Sequence, residues 1–89
     1  MKKEKWQLKQ VFDILAIVLN VEPQKILSFP TSDSLEKLGM DSLGMIRFIL
    51  LLEENYGISF LDSDLLLSNF LTLERLFETL KKYRIGEKS

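Results

Sequence analysis

The feature that most limits what this chain can fold into lies between Asp41 and Gly57, where an apolar pattern of helical period is opened by a capping residue and closed by a glycine. Turning about 100° per residue puts Met45, Phe48, Ile49, Leu52 and Tyr56 on one stripe without a charge, the face that a helix buries. The helix is predicted to start at Asp41 or Ser42 and to end near Tyr56. Gly57 supplies the left-handed residue that glycine adopts without steric penalty. The opposite stripe holds Leu43, Ile46, Arg47, Leu50, Glu53 and Glu54. Apolar side chains among charges describe either a partly covered helix edge or a patch that another protein uses. On the second reading Leu43, Ile46 and Leu50 bury in the partner while Glu53 and Glu54 steer it.

The rest of the chain supplies what such a helix must pack against. From Glu4 to about Asn20, Leu8, Val11, Phe12, Leu15, Val18 and Leu19 recur at helical spacing, and Ile14, Ala16 and Ile17 widen the stripe enough for more than one neighbour. Trp6 reads as a residue at the edge of the core. Asn20 and Glu22-Pro23 stop this helix, and Pro23 can open one further turn through Leu27. Ser28 to Ser34 then reads as an irregular loop, pinned to the core by Leu35 and Leu38.

After the central helix, Asp62 or Ser63 can cap a short helix running to Leu67, which Ser68 and Asn69 break. Thr72 caps a last helix, with Leu71 and Leu76 at the positions of a hydrophobic staple. Leu73, Leu76, Phe77 and Leu80 form its buried face. Lys81, Lys82 and Arg84 suit its negative end, Gly86 ends it, and Glu87-Lys88-Ser89 forms a mobile tail. No strand pattern, internal repeat or low-complexity tract competes. The expectation is an all-α fold of three main helices and one short one, with a long loop after the first. Its 89 residues make a single domain with a core of about 5–85.

Composition narrows the chemistry. The chain has no cysteine and no histidine, which removes disulfides, thiolate nucleophiles, the usual zinc sites and any imidazole-based triad. No catalytic or metal-ligating set remains. Apolar runs are too short to span a bilayer, and Met1-Lys2-Lys3-Glu4-Lys5 leads into an amphipathic pattern, so no membrane insertion is expected and the protein is read as cytoplasmic and monomeric. Residues 31–64 carry two Lys/Arg against seven Asp/Glu, whereas each flank carries five against three. An acidic centre argues against nucleic acid as a partner and for basic protein surfaces; a solvated face is the alternative. A helix-turn-helix DNA binder would need a basic recognition helix, and the helix after Ser42 has one arginine against two glutamates.

Ser42 is the candidate functional residue. A serine at a helix start is commonly a cap and nothing more, and with no imidazole and no nearby lysine it has no base to activate it for turnover. The position does favour a phosphate ester, because the first N–H groups of a helix lack partners and its dipole stabilises negative charge there. Ser42 is therefore a substrate and not a catalyst.

Leu38-Gly39-Met40-Asp41-Ser42-Leu43, followed by an apolar helix ending Leu52-Glu53-Glu54-Asn55-Tyr56-Gly57-Ile58, resembles the acyl and peptidyl carrier protein family. The match is good over 35–62, and the order of the other helices agrees. The resemblance implies a four-helix acyl-carrier-like bundle in which a phosphopantetheinyl transferase moves 4′-phosphopantetheine from coenzyme A onto Ser42, flanked by Asp41. The terminal thiol of that arm then holds an acyl, aminoacyl or polyketide intermediate as a thioester. A loading ligase, adenylation enzyme or acyltransferase and downstream enzymes are the implied partners, and Leu43, Ile46 and Leu50 match positions that flank the arm or contact partners in the family.

Arg47 stands where fatty-acid carriers usually have glutamate or a similar residue, and Phe70-Leu71-Thr72 resembles the Phe-x-x-Pro-Thr approach of peptidyl carriers without its proline. Met40-Asp41 is closer to acyl carriers. The expectation is a freestanding carrier of a nonribosomal peptide or polyketide type pathway. Primary fatty-acid synthesis, or an unmodified helical interaction module, is the alternative.

Overall fold

The computed structural model describes the backbone of residues 2–83 and the side chains of residues 9–83. The expectations for Trp6, Leu8, Arg84, Gly86 and the tail 87–89 concern positions outside the described side chains or outside the described residues.

Helix α1 is Lys2–Leu19. Its end is set at Asn20, with φ 57°, where Asn20 N–H donates to the Ile17 carbonyl at 3.2 Å and Val21 N–H to the Ala16 carbonyl at 3.0 Å. This pair of bonds is the Schellman arrangement, and asparagine tolerates the left-handed residue it needs. The stop therefore comes at Asn20, ahead of Pro23. Pro23 instead opens α2, Pro23–Leu27, which buries Ile26.

The long connection after α2 is sewn to the far end of the chain. Leu35 N–H donates to the Leu71 carbonyl and Glu74 N–H to the Thr31 carbonyl, at 2.6 and 3.1 Å. A 3₁₀ turn, Leu35–Leu38, follows, capped by Ser34 and ended by Gly39 at φ 103°. Leu35 is fully buried and Leu38 half-buried, so this connection is pinned as the sequence suggested.

Helix α3 is Ser42–Tyr56, with Asp41 as its N-cap and Gly57 at φ 63° as its left-handed end. Helix α4 is Leu73–Lys81, where Thr72 Oγ1 accepts the Arg75 N–H at 3.1 Å. The core is built where these helices face one another. Val11 and Leu15 of α1, Phe48, Ile49 and Leu52 of α3, and Leu73, Leu76 and Leu80 of α4 are buried together. Phe70 is fully buried with Phe48 and Phe60 edge-on to it at 6.4 Å each, and Phe12 meets Phe77 edge-on at 5.7 Å. Such aromatic pairs add to the burial free energy.

The fold is the expected all-α arrangement of three main helices and a short one, but the short α-helix is Pro23–Leu27. Residues 62–67 do not form one. Instead there are two 3₁₀ turns, Asp62–Asp64 and Leu67–Phe70, and Ser68 and Asn69 lie inside the second. The reason is Asp64. Its carbonyl accepts the Asn69 side-chain amide at 2.9 Å, and its buried carboxylate is held by Lys82 and Tyr83 from beyond the segment. These partners turn the backbone away from a continuing α-helical ladder.

Candidate functional site

Ser42 sits at the junction of two local devices. Gly39, in the left-handed region, turns the chain so that Met40 points into the core. Asp41 then adopts extended backbone, and its Oδ1 accepts the Gly44 N–H at 2.8 Å while its carbonyl accepts the first helical bond, from Met45, at 2.8 Å. Asp41 is the cap, so Ser42 is not needed as one. Ser42 is exposed, and its hydroxyl enters no hydrogen bond among the described residues. It lies at the positive end of a helix of 15 residues whose first turn contains no acidic side chain.

Behind the site lies a contact that periodicity did not reveal. Gly44 is buried, and a Cβ there would lie 3.3 Å from Asp41 Oδ1, 3.5 Å from Met40 Sδ and 3.6 Å from Val18 Cγ1. The small residue lets α1 back directly onto the first turn of α3. Its signal in the sequence was a glycine inside an apolar helix, which without the partner helix reads as a propensity defect.

The two stripes of α3 separate as drawn from the sequence. Phe48, Ile49 and Leu52 are buried, with Met45 and Tyr56 half-buried. Leu43 is 64% exposed, Ile46 49% and Leu50 57%, and Arg47 and Glu54 are exposed among them. Glu53 differs from the others. It is half-buried, and its Oε2 accepts the Phe60 N–H at 2.9 Å.

A second polar cluster, missed from sequence, ties the segment after α3 to the end of α4. Lys82 Nζ lies 2.8 Å from Asp64 Oδ1, and the Tyr83 hydroxyl donates to Asp64 Oδ2 at 2.6 Å while accepting the Leu61 N–H at 2.9 Å. The hydrogen bond from Lys82, then that from Tyr83, holds the Asp64 carboxyl below the usual carboxylate range. Desolvation, then the bond to Asp64, pushes the Tyr83 phenol up. Arg75 donates to Asn69 Oδ1 at 2.8 Å and extends the cluster. Among the described residues no group of His, Cys, Asp and Glu could hold a metal ion.

The arrangement offers an exposed alcohol at a helix mouth, with exposed apolar side chains beside it and, among the described residues, no group hydrogen-bonded to it that could act as a general base. That suits an attachment point better than a catalyst. A family model described as the phosphopantetheine attachment site matches residues 9–80, from the middle of α1 through nearly all of α4. The chain belongs to the phosphopantetheine-attachment family. As a phosphopantetheine-attachment domain it is a non-catalytic carrier, modified by a phosphopantetheinyl transferase, that bears 4′-phosphopantetheine covalently. No solved structure matches the chain. No helix among the described residues of this phosphopantetheine carrier is long and apolar enough to cross a membrane.

Proposed function

We propose that Ser42 is the attachment residue and that the chain is a single carrier domain for acyl, aminoacyl or polyketide groups, monomeric and cytoplasmic. The observation that supports this best is the division of labour at the start of α3, where Asp41 takes the cap and Ser42 keeps an exposed, unengaged hydroxyl. The residues fit the group. A phosphodiester at this oxygen would lie at the positive end of α3, whose early N–H groups favour negative charge, with Asp41 already taking the Gly44 amide. When bound, the arm supplies the thiol that a cysteine-free chain lacks and carries cargo on it as a thioester.

The chain's own residues then act as tether and address. Leu43, Ile46 and Leu50 offer apolar side chains to the transferase, the loading ligase, adenylation enzyme or acyltransferase, and downstream enzymes, with Arg47 and Glu54 among them as charges that set orientation. Tethering keeps the cargo at high effective concentration for these partners. The exposed Arg47 between Ile46 and Leu50 favours a nonribosomal peptide or polyketide type pathway. Met40-Asp41 keeps primary fatty-acid synthesis as the second reading.

Incubation with coenzyme A and a broad-specificity phosphopantetheinyl transferase tests the attachment residue. The expected result is an intact-mass gain of one phosphopantetheine, absent in Ser42→Ala. A wild type that stays unmodified beside a control carrier, or a Ser42→Ala variant that gains the mass, would overturn it. The intact mass of the protein from its native cells tests the pathway, because the increment beyond the arm identifies the cargo.

A further inference from the structure

Two successive backbone amides beyond α3 are held by side chains from two different parts of the chain, one in the last turns of α3 and one just past α4. Phe60 N–H donates to Glu53 Oε2 of α3, and Leu61 N–H donates to the Tyr83 hydroxyl just past α4, both at 2.9 Å. The Tyr83 ring lies 4.5 Å from that of Phe60, and its hydroxyl is itself fixed by Asp64 at 2.6 Å. Phe60 and Asp64 are both buried, yet Leu61 between them is turned outward, 64% exposed, and takes no part in the core. An exposed amide can be satisfied by water. What the two side-chain acceptors add is a fixed position for Leu61.

That position continues the exposed stripe of α3. Glu53 shares the face of Leu43, Ile46 and Leu50 and lies roughly 16 Å along the axis from Ser42, at about 1.5 Å per residue. Its bond to Phe60 places the next residue at the far end of the stripe. A partner interface of ordinary size covers about 800 Å² on each side, a patch roughly 30 Å across. An enzyme that acts on Ser42 must sit over the start of α3, and a patch of that size laid from Ser42 along the exposed stripe extends past Glu53 to the segment that Glu53 holds, which includes Leu61.

We propose that Leu61 is the distal apolar contact for the transferase that modifies Ser42, and that Glu53 and Tyr83 are positioning residues that hold it there. The inference rests on Ser42 as the attachment residue. On this view Glu53 acts on the partner through the backbone it holds, and its charge is secondary.

Transfer from coenzyme A by a broad-specificity phosphopantetheinyl transferase, followed by intact mass over time, gives kcat and KM for each variant. Leu61→Ala and Tyr83→Phe are each expected to raise KM about five-fold with little change in kcat, the size of effect expected for a contact outside the binding hot spot. The double variant should be no worse than Leu61→Ala alone. Glu53→Ala should also raise KM, and Glu53→Gln, which keeps an acceptor oxygen but no charge, should recover most of that loss.

Four results would overturn the proposal: Leu61→Ala with wild-type KM, a fall confined to kcat, independent addition of Tyr83→Phe and Leu61→Ala, or Glu53→Gln as impaired as Glu53→Ala. Should Tyr83→Phe fail to fold, the two Glu53 variants and Leu61→Ala decide the matter. A wild type that is never modified refutes the Ser42 assignment together with this one. A modified wild type with an unaffected Leu61→Ala refutes this one alone.

Discussion

Asp41 Oδ1 accepts the backbone N–H of Gly44 at 2.8 Å, and by doing so it relieves Ser42 of the role that a serine at a helix start usually plays. The cap and the attachment hydroxyl are thus adjacent residues with separate tasks. Replacing Asp41 with alanine is expected to cost about 1 kcal/mol of stability. Phe48→Ala, which empties a fully buried aromatic site, is expected to cost about 3 to 5 kcal/mol. Urea denaturation of the two variants checks the order, and a larger loss at Asp41 would mean that the cap carries more of α3 than a local bond can.

Gly44→Ala sets two effects against each other. Alanine is favoured over glycine inside a helix by about 1 kcal/mol, but here its Cβ would come 3.3 Å from the very oxygen that caps the helix, with Met40 and Val18 behind it. The expected outcome for Gly44→Ala is no net gain. Gly44→Val, which adds two methyl groups beyond that Cβ, is expected to lose about 1 to 3 kcal/mol. Thermal unfolding monitored by circular dichroism tests both, and a stabilised Gly44→Val would show that α1 does not bear on this turn.

The exposed stripe of α3 predicts a separation of folding from partner recognition. Ile46→Glu and Leu50→Glu place a charge where the side chain already meets water, so the helical signal and the melting temperature should change little. Modification by the transferase should slow by about ten-fold or more, as an apolar contact becomes a desolvated charge. Unfolding of either variant would place that stripe in the core.

The Asp64 cluster predicts an acid-sensitive contribution to stability. Because the hydrogen bonds from Lys82 and Tyr83 lower the Asp64 pKa in the folded state, its contribution is present above the ordinary carboxylate value and is lost as the pH falls through the folded one. The stability difference between wild type and Asp64→Asn should therefore be larger at pH 7 than below about pH 3. Denaturant titrations at the two pH values measure it. A difference that does not shrink in acid would mean that the carboxylate's charge is not what holds Lys82 and Tyr83.

The parts of this protein that are legible in its sequence are those whose causes lie within a few residues. Asp41 and Thr72 as caps, Pro23 opening a turn, Gly57 ending α3, and the two stripes of α3 all follow from bonds or spacings of three to seven residues, which a linear pattern records. The placement of Ser42 at a helix start belongs to the same class. Tertiary structure alone decided that 62–70 forms two 3₁₀ turns, that Asp64 is buried, that Glu53 holds a backbone amide, and that Gly44 receives Val18. Each depends on a group outside a continuous helix: Lys82 and Tyr83 lie 18 and 19 residues from Asp64, Val18 lies on another helix from Gly44, and Phe60 lies beyond the end of α3 that carries Glu53. Such contacts leave no periodic trace, because the folding of the chain between and beyond the helices brings the groups together.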